Sequence, residues 1–182
     1  METALYRDSG ILGEARDYFS EKKGDTAHPI RNVGRGVPAF RLVNTAVDGR
    51  YRISKTVFSD PVREVVLQQI RFEALVGAAS DYQVHVIVAP HLVNAGADNT
   101  GWCGDFKGHQ MLFAEGRGTS LAVASSVPWR ARSAGYVGVS AGWQTLSRGE
   151  VLRPEFVRAE HGNVAISGTL DIASHGVQVG LS

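Results

Sequence analysis

A chain of 182 residues is long enough to bury one substantial core and too short to build two well-buried ones. Apolar residues make up 43% and charged residues 20%, ordinary values for a globular domain that exclude a disordered or fibrous chain. The 19 Lys and Arg against 18 Asp and Glu leave a formal charge of +1, and the basic residues are scattered singly, so nucleic acid and anionic membranes find no basic stripe to hold.

Apolar runs stay far below the roughly 18–20 residues of a membrane-spanning helix. No basic-then-apolar leader follows Met1, so no secretory signal is read and the compartment stays open. Cys103 is the single cysteine, which excludes an internal disulfide and a multi-cysteine metal site.

The first 37 residues are weakly patterned. Gly10-Ile11-Leu12-Gly13 reads as a short strand and residues 20–36 are charged and glycine-rich, so residues 1–37 are expected to form an extended arm with a loop. From Pro38 onward, short β-branched or alternating segments are separated by turn residues at intervals of about 8–15, the pattern of an antiparallel all-β domain over 38–182. Asp48-Gly49 between two such segments signals a hairpin.

Residues 60–75 are ambiguous. Asp60, Pro61 and Glu64 form a helix start, and Val66, Leu67, Ile70 and Ala74 follow at helical spacing; yet Val66, Gln68, Ile70 and Phe72 also alternate as a strand. Farther on, Val84, Val86 and Val88 make one apolar row, and Leu121, Val123 and Ser125 another. Near the end, Val164, Ile166, Leu170 and Ile172 share a buried face, while Ser167, Thr169 and Asp171 share a wet one; Gly168 marks a bulge or a close backbone approach.

Four strings carry possible chemistry. Gly138-Val139-Ser140-Ala141-Gly142 satisfies G-x-S-x-G, the turn that presents a nucleophilic serine, with Asp171 and His175 following in triad order. An α/β-hydrolase needs several βα units after that serine, and the strand patterns that follow have no helices between them, so a glycine-rich turn accounts for the string better than a serine esterase does. Gly34-Arg35-Gly36-Val37-Pro38-Ala39 resembles a dinucleotide loop only in its letters, lacking a strand before it and meeting proline where a helix should begin. Cys103 and His109 supply two ligands where zinc needs three or four; no metal and no cofactor is expected. The long polar stretch 94–108 reads as a functional loop in which Trp102, Asp105 and Lys107 contact sugar or another domain. Trp129 and Trp143 stand in similar turn contexts, so one end of the domain is expected to be an aromatic contact surface.

Several ordered strings, among them Tyr51-Arg52-Ile53-Ser54-Lys55, Asp60-Pro61-Val62-Arg63-Glu64, Ala89-Pro90-His91-Leu92, Ser125-Ser126-Val127-Pro128-Trp129, Gly135-Tyr136-Val137-Gly138-Val139 and Glu160-His161-Gly162-Asn163-Val164, resemble the N-terminal domain of bacterial glucoamylases and glucodextranases, family 15 glycoside hydrolases. The resemblance runs over about 41–181. It implies an all-β, antiparallel β supersandwich similar to galactose mutarotase, incomplete at its N-terminus, and places residues 62–75 in a strand. It implies a parent that releases glucose from the non-reducing ends of α-glucans with inversion, using two carboxylates of an α/α toroid absent from this chain. The chain itself would be inactive, with that catalytic domain as its partner and α-glucan as a further one; a free-standing carbohydrate-binding module is the alternative. The parent would be periplasmic or secreted. Ala141 stands where relatives commonly carry an acidic residue before Gly-Trp-Gln, which argues against a side-chain role there.

Overall fold

A computed structural model describes residues 2–7, 17–20, 26–152, 156–172 and 178–181, with side chains for 26–152 and 156–172. The described residues form fifteen strands: β1 (Glu2–Arg7), β2 (Asp17–Ser20), β3 (Thr26–Ala27), β4 (Ile30–Asn32), β5 (Ala39–Ala46), β6 (Tyr51–Ser59), β7 (Val66–Ala74), β8 (Tyr82–Val88), β9 (Asn99–Phe106), β10 (His109–Gly116), β11 (Thr119–Val123), β12 (Trp129–Tyr136), β13 (Arg158–Gly162), β14 (Val164–Leu170) and β15 (Gln178–Leu181). A six-residue helix, α1 (Gly142–Ser147), interrupts them. Every strand pairing is antiparallel, as the all-β reading requires.

The strands form three sheets. Sheet A runs β12-β14-β8-β1-β2, sheet B runs β15-β7-β6-β5-β3 with β4 also on β5, and sheet C runs β11-β10-β9-β13. One core joins them: Tyr51, Ile53, Ile70 and Phe72 of sheet B, Val84, Val86, Val88, Val164 and Ile166 of sheet A, and Leu112 and Ala114 of sheet C bury the same cluster. The row Val84, Val86, Val88 is the inner face of β8, as its period of two requires. Sheet C closes directly on β14, where a Cβ at Gly101 would stand 2.8 Å from Ile166 Cγ2. Gly168 is the close approach expected of it: a Cβ there would stand only 2.3 Å from Cε3 of the Trp129 ring.

Turn chemistry fixes the registers. Gly49 takes φ +73 and donates its N–H to Ala46 O at 2.9 Å, while the Asp48 carboxylate accepts from Arg50 N at 3.1 Å. The β9–β10 and β10–β11 hairpins turn on Lys107-Gly108 and Arg117-Gly118, both residues of each pair at positive φ, the backbone whose twist matches that of paired strands.

Four expectations are revised. Strand β7 begins at Val66, not at residue 62; Asp60 Oδ1 accepts the N–H groups of Val62 and Arg63 at 2.8 and 2.9 Å, so the residues that mimic a helix start cap a loop. The stretch read as a loop at 94–108 is mostly β9 and its hairpin turn. Residues 1–37, read as an arm, contribute β1 between β2 and β8 and the short β3 and β4 on β5; Gly10-Ile11-Leu12-Gly13 lies outside the described residues. Strand β14 has no wet face: Ser167 and Thr169 are as buried as Ile166. The reason is a second layer. Ile87, Ala141, Leu146, Leu152 and Ala165 form a small cluster on the opposite face of sheet A, under α1.

Candidate interaction surface

The serine of G-x-S-x-G sits in the turn between β12 and α1. Its hydroxyl accepts the Tyr136 N–H at 3.2 Å and its own N–H reaches Tyr136 O at 2.9 Å, so Ser140 locks a turn. Asp171 is held elsewhere, its Oδ1 2.9 Å from Arg130 Nε and 2.8 Å from Nη2. His175 lies outside the described residues. No base stands by Ser140 among the described hydrogen bonds, and the esterase reading has no geometry behind it.

Cys103 points into the core opposite Leu112; burial pushes its thiol pKa up, opposed by the nearby Arg132 charge. His109 pairs with Phe106 at the far end of the hairpin. Among the described residues no three His, Cys, Asp or Glu groups converge as metal ligands.

Trp102 stands mid-strand on the outer face of sheet C. Its direct neighbours are Phe113 on β10 and Arg158 on β13. Phe113 stacks with centroids 5.4 Å apart at 17°, and the Arg158 guanidinium carbon lies 5.0 Å from the indole centroid. Because β10 and β13 flank β9 on opposite sides, both indole faces are covered, and stacking on a sugar has no free face to use. Arg158 continues outward to Glu160, Nε to Oε1 at 2.5 Å, and to Glu115 at 3.7 Å. Hydrogen bonding and charge from Arg158 hold the Glu160 carboxyl below the ordinary range.

Asp105 faces the other way. Its carboxylate meets Arg132 Nη2 at 3.2 Å, while Arg132 Nη1 donates to Gly104 O at 2.6 Å and Met111 O at 3.1 Å. Arg132 belongs to β12, so this cluster clamps sheet C onto sheet A. Lys107 occupies the hairpin tip with its ammonium 5.2 Å from the Phe106 ring centroid.

The remaining tryptophans part company with Trp102. Trp129 is buried in the main core, its indole N–H donating to Gln110 O at 3.1 Å. Trp143 lies on α1 across sheet A from sheet C, half-buried against the small second cluster. The expected single aromatic end therefore does not exist: strand order sends the three indoles to an outer face, the core and the opposite layer.

Around Trp143 the surface is apolar and incomplete. A cavity of about 350 Å³ is lined by Ile87, Ala89, Val137, Ala141, Trp143 and Gln144, among others. Beside it Val137 and Val139 are exposed, Val139 by 73%. Gln144 Oε1 is buried with no hydrogen-bond partner among the described residues, a cost of about 1–3 kcal/mol. Exposed valines beside a desolvated amide mark a face suited to another protein surface. Sequence reasoning named Trp143 and missed Val137, Val139 and Gln144, although all four fall within eight residues; the exposed Val-Gly-Val run was the available signal. Arg158 and Phe113 gave no such signal, being Trp102's neighbours only through strand register.

The family described as glucodextranase, domain N, matches residues 1–182. A glucoamylase of Clostridium sp. (strain G0005) is 28% identical over 162 residues, which cover 89% of this chain and 23% of that protein. The crystal structure of a bacterial glucoamylase complexed with acarbose superposes with a TM-score of 0.88 at 26% identity, covering 100% of this chain and 26% of that one. The chain thus spans about a quarter of the length of either relative.

Proposed function

Because this chain belongs to the glucodextranase N-domain family, as a match over all its residues shows, we propose that it is the supporting, non-catalytic part of a longer α-glucan hydrolase that releases glucose from non-reducing ends with inversion. The observation that carries this reading is the pairing of a whole-chain match with coverage of only about a quarter of a glucoamylase. Chemistry agrees with it. Inversion needs two carboxyl groups about 6.5–9.5 Å apart across a cleft, and the three principal cavities among the described residues hold one carboxylate between them, Glu64. The acid and the base then belong to the α/α domain of the longer protein.

The domain's contribution is mechanical: it presents the Trp143, Val137 and Val139 face to that catalytic domain, where burial removes apolar surface from water and supplies Gln144 with a donor. Trp102 and Asp105 serve the internal order of the sheets, with Phe106 and Lys107 left as the contact points that α-glucan can reach. A location of the parent in the periplasm or outside the cell is part of the same proposal. No helix among the described residues is long and apolar enough to cross a membrane.

The test has two arms. Incubated with maltooligosaccharides, the chain alone is expected to release no glucose above a buffer blank. Joined to the catalytic domain in the full-length parent, it is expected to raise that domain's melting temperature above that of the catalytic domain expressed alone, and Val139→Asp is expected to shrink the increase. Glucose release by the chain alone, or a catalytic domain whose melting ignores it, would overturn the reading.

A further inference from the structure

Sheet B carries more apolar inner face than the core uses. Residues directly opposite, or two apart on one strand, share a face, so the registers put Ile30, Phe40, Val57 and Val66 on the side that holds Ile53, Ile70 and Phe72. Ile53, Ile70 and Phe72 are buried against the other two sheets. Ile30, Phe40 and Val66 are exposed. The sheet therefore outruns its cover at the end where β7 begins.

Beside Val66 lies a mainly apolar trough of about 470 Å³, where Val66 and Gln68 of β7 face Met111 of β10 and Leu121 and Val123 of β11. Glu64 is the one charged group lining it among the described residues. Few polar groups converge there, so the trough lacks what a small-molecule site uses to orient a ligand.

The polypeptide itself is directed at this trough. Strand β15 pairs antiparallel with β7, from Gln178 opposite Arg71 to Leu181 opposite Gln68, and so runs towards the start of β7. Each further residue in that register advances one position, which sets position 182 opposite Leu67 and position 183 opposite Val66. The distance is two residues of extended chain, about 7 Å. On the side away from β6, Val66 and Leu67 have no strand partner among the described residues.

We propose that, in the longer protein, the residues following Ser182 extend β15 along Leu67 and Val66 and cover the trough, with position 183 on its floor side. The existence of those residues rests on the functional reading above; their path rests on the register of β15. Position 183 shares the inner face with Val66 and is expected to be apolar, so that pairing withdraws both from water. Position 182 shares the outer face with Leu67. The catalytic domain is the competing cover, and register separates the two, because a domain docking onto the trough sets no residue-by-residue pairing with β7.

Two measurements on the full-length parent read the outcome. Directly opposed side chains on paired strands stand about 4.5–5.5 Å apart at Cβ, so Val66→Cys combined with a cysteine at position 183 is expected to be bridged by dibromobimane, which fluoresces on joining two neighbouring thiols. Val66→Cys combined with a cysteine at position 182 or 184, on the other face, is expected to give no more signal than the single variants. In the unsubstituted parent, the Val66 and Leu67 amides are both expected to exchange slowly. Consecutive amides on a strand point to opposite sides, so β6 protects one and a strand on the β15 side must protect the other. Bridging absent at position 183 in a folded parent, bridging as strong at 182 or 184, or fast exchange at either amide overturns the proposal. Glucose release from maltooligosaccharides by the same parent judges the functional reading separately: release without the bridge sinks this inference alone, and the bridge without release sinks that reading alone.

Discussion

Replacing Trp129 by Ala tests how sheet A is locked to sheet C, and the size of the effect follows from three contacts. The indole is 7% exposed, it rests on the bare Cα of Gly168 where a Cβ would come within 2.3 Å of Cε3, and it donates to Gln110 O. Deleting a buried tryptophan costs about 3–5 kcal/mol, which in a domain of this length lowers the melting temperature by roughly 2–4 °C per kcal/mol. Gly168→Ala alone forces the ring off its seat and costs about 1–3 kcal/mol by overpacking. Combined, the two changes should not add. With the indole gone the new methyl enters the space it leaves, so the double variant is expected to be more stable than the sum of single losses predicts by about 1–3 kcal/mol. Urea denaturation followed by far-UV circular dichroism measures all four corners of the cycle without relying on tryptophan emission. Additive losses, within about 0.3–0.5 kcal/mol, would refute the claim that the Trp129 ring is what excludes a side chain at position 168.

Two further outcomes follow from titration. Burial lowers the His85 pKa from 6.5 to about 3, so the unfolded chain binds a proton near pH 6.5 that the folded chain refuses; the stability tied to this group is whole above 6.5 and is lost as pH falls, at up to about 1.4 kcal/mol per unit. Urea midpoints at pH 7, 6 and 5 should therefore fall more steeply for the wild type than for His85→Gln, and equal slopes would remove His85 as the cause. Arg158 holds Glu160 below the ordinary carboxylate range, so the ion pair's contribution is present above the unfolded pKa and fades as pH drops through the lowered folded value. In a carbon-13 NMR titration, Arg158→Ala should move the Glu160 midpoint upward; a fixed Glu160 midpoint would contradict the pairing.

Period-two alternation placed β8, β11 and β14, because a residue's face is decided by its parity in the chain, and the Asp48-Gly49 turn placed β5 and β6, whereas β7 was left between helix and strand and β9 was read as a loop. What parity does not encode is how many layers a sheet has. Ser167 and Thr169 look like a wet face, yet α1 settles over Ser167 and both residues are buried, so β14 is covered on both sides. Asp60 shows a second limit: an N-cap and an Asx turn use the same carboxylate to accept the same nearby N–H groups, so the local signal is identical and the pairing of β7 with β6 decides. Trp102 shows a third. Its aromatic character was visible, but the Phe113 and Arg158 that cover it belong to other strands, and only the β9 registers bring them together.

The modest size of the Trp143 face is consistent with a supporting role. A free partner must be captured against the loss of its translational and rotational freedom, which costs an estimated 4–15 kcal/mol or more, so stable complexes bury about 1,200–2,000 Å². A domain joined to its partner by the same polypeptide meets it at an effective concentration that reaches the millimolar range for short flexible connections. A contact of millimolar affinity, worth about 4 kcal/mol, is then occupied much of the time. Val137, Val139, the rim of Trp143 and one hydrogen bond to Gln144 supply a gross gain of roughly 4–9 kcal/mol, at about 1.5–3 kcal/mol for each fully covered aliphatic side chain and about 1–3 kcal/mol for satisfying the amide, which the cost of capturing a free partner largely consumes. Severing the connection should therefore weaken association far more than any single substitution on the face does, because what holds the two parts together is chiefly the covalent link.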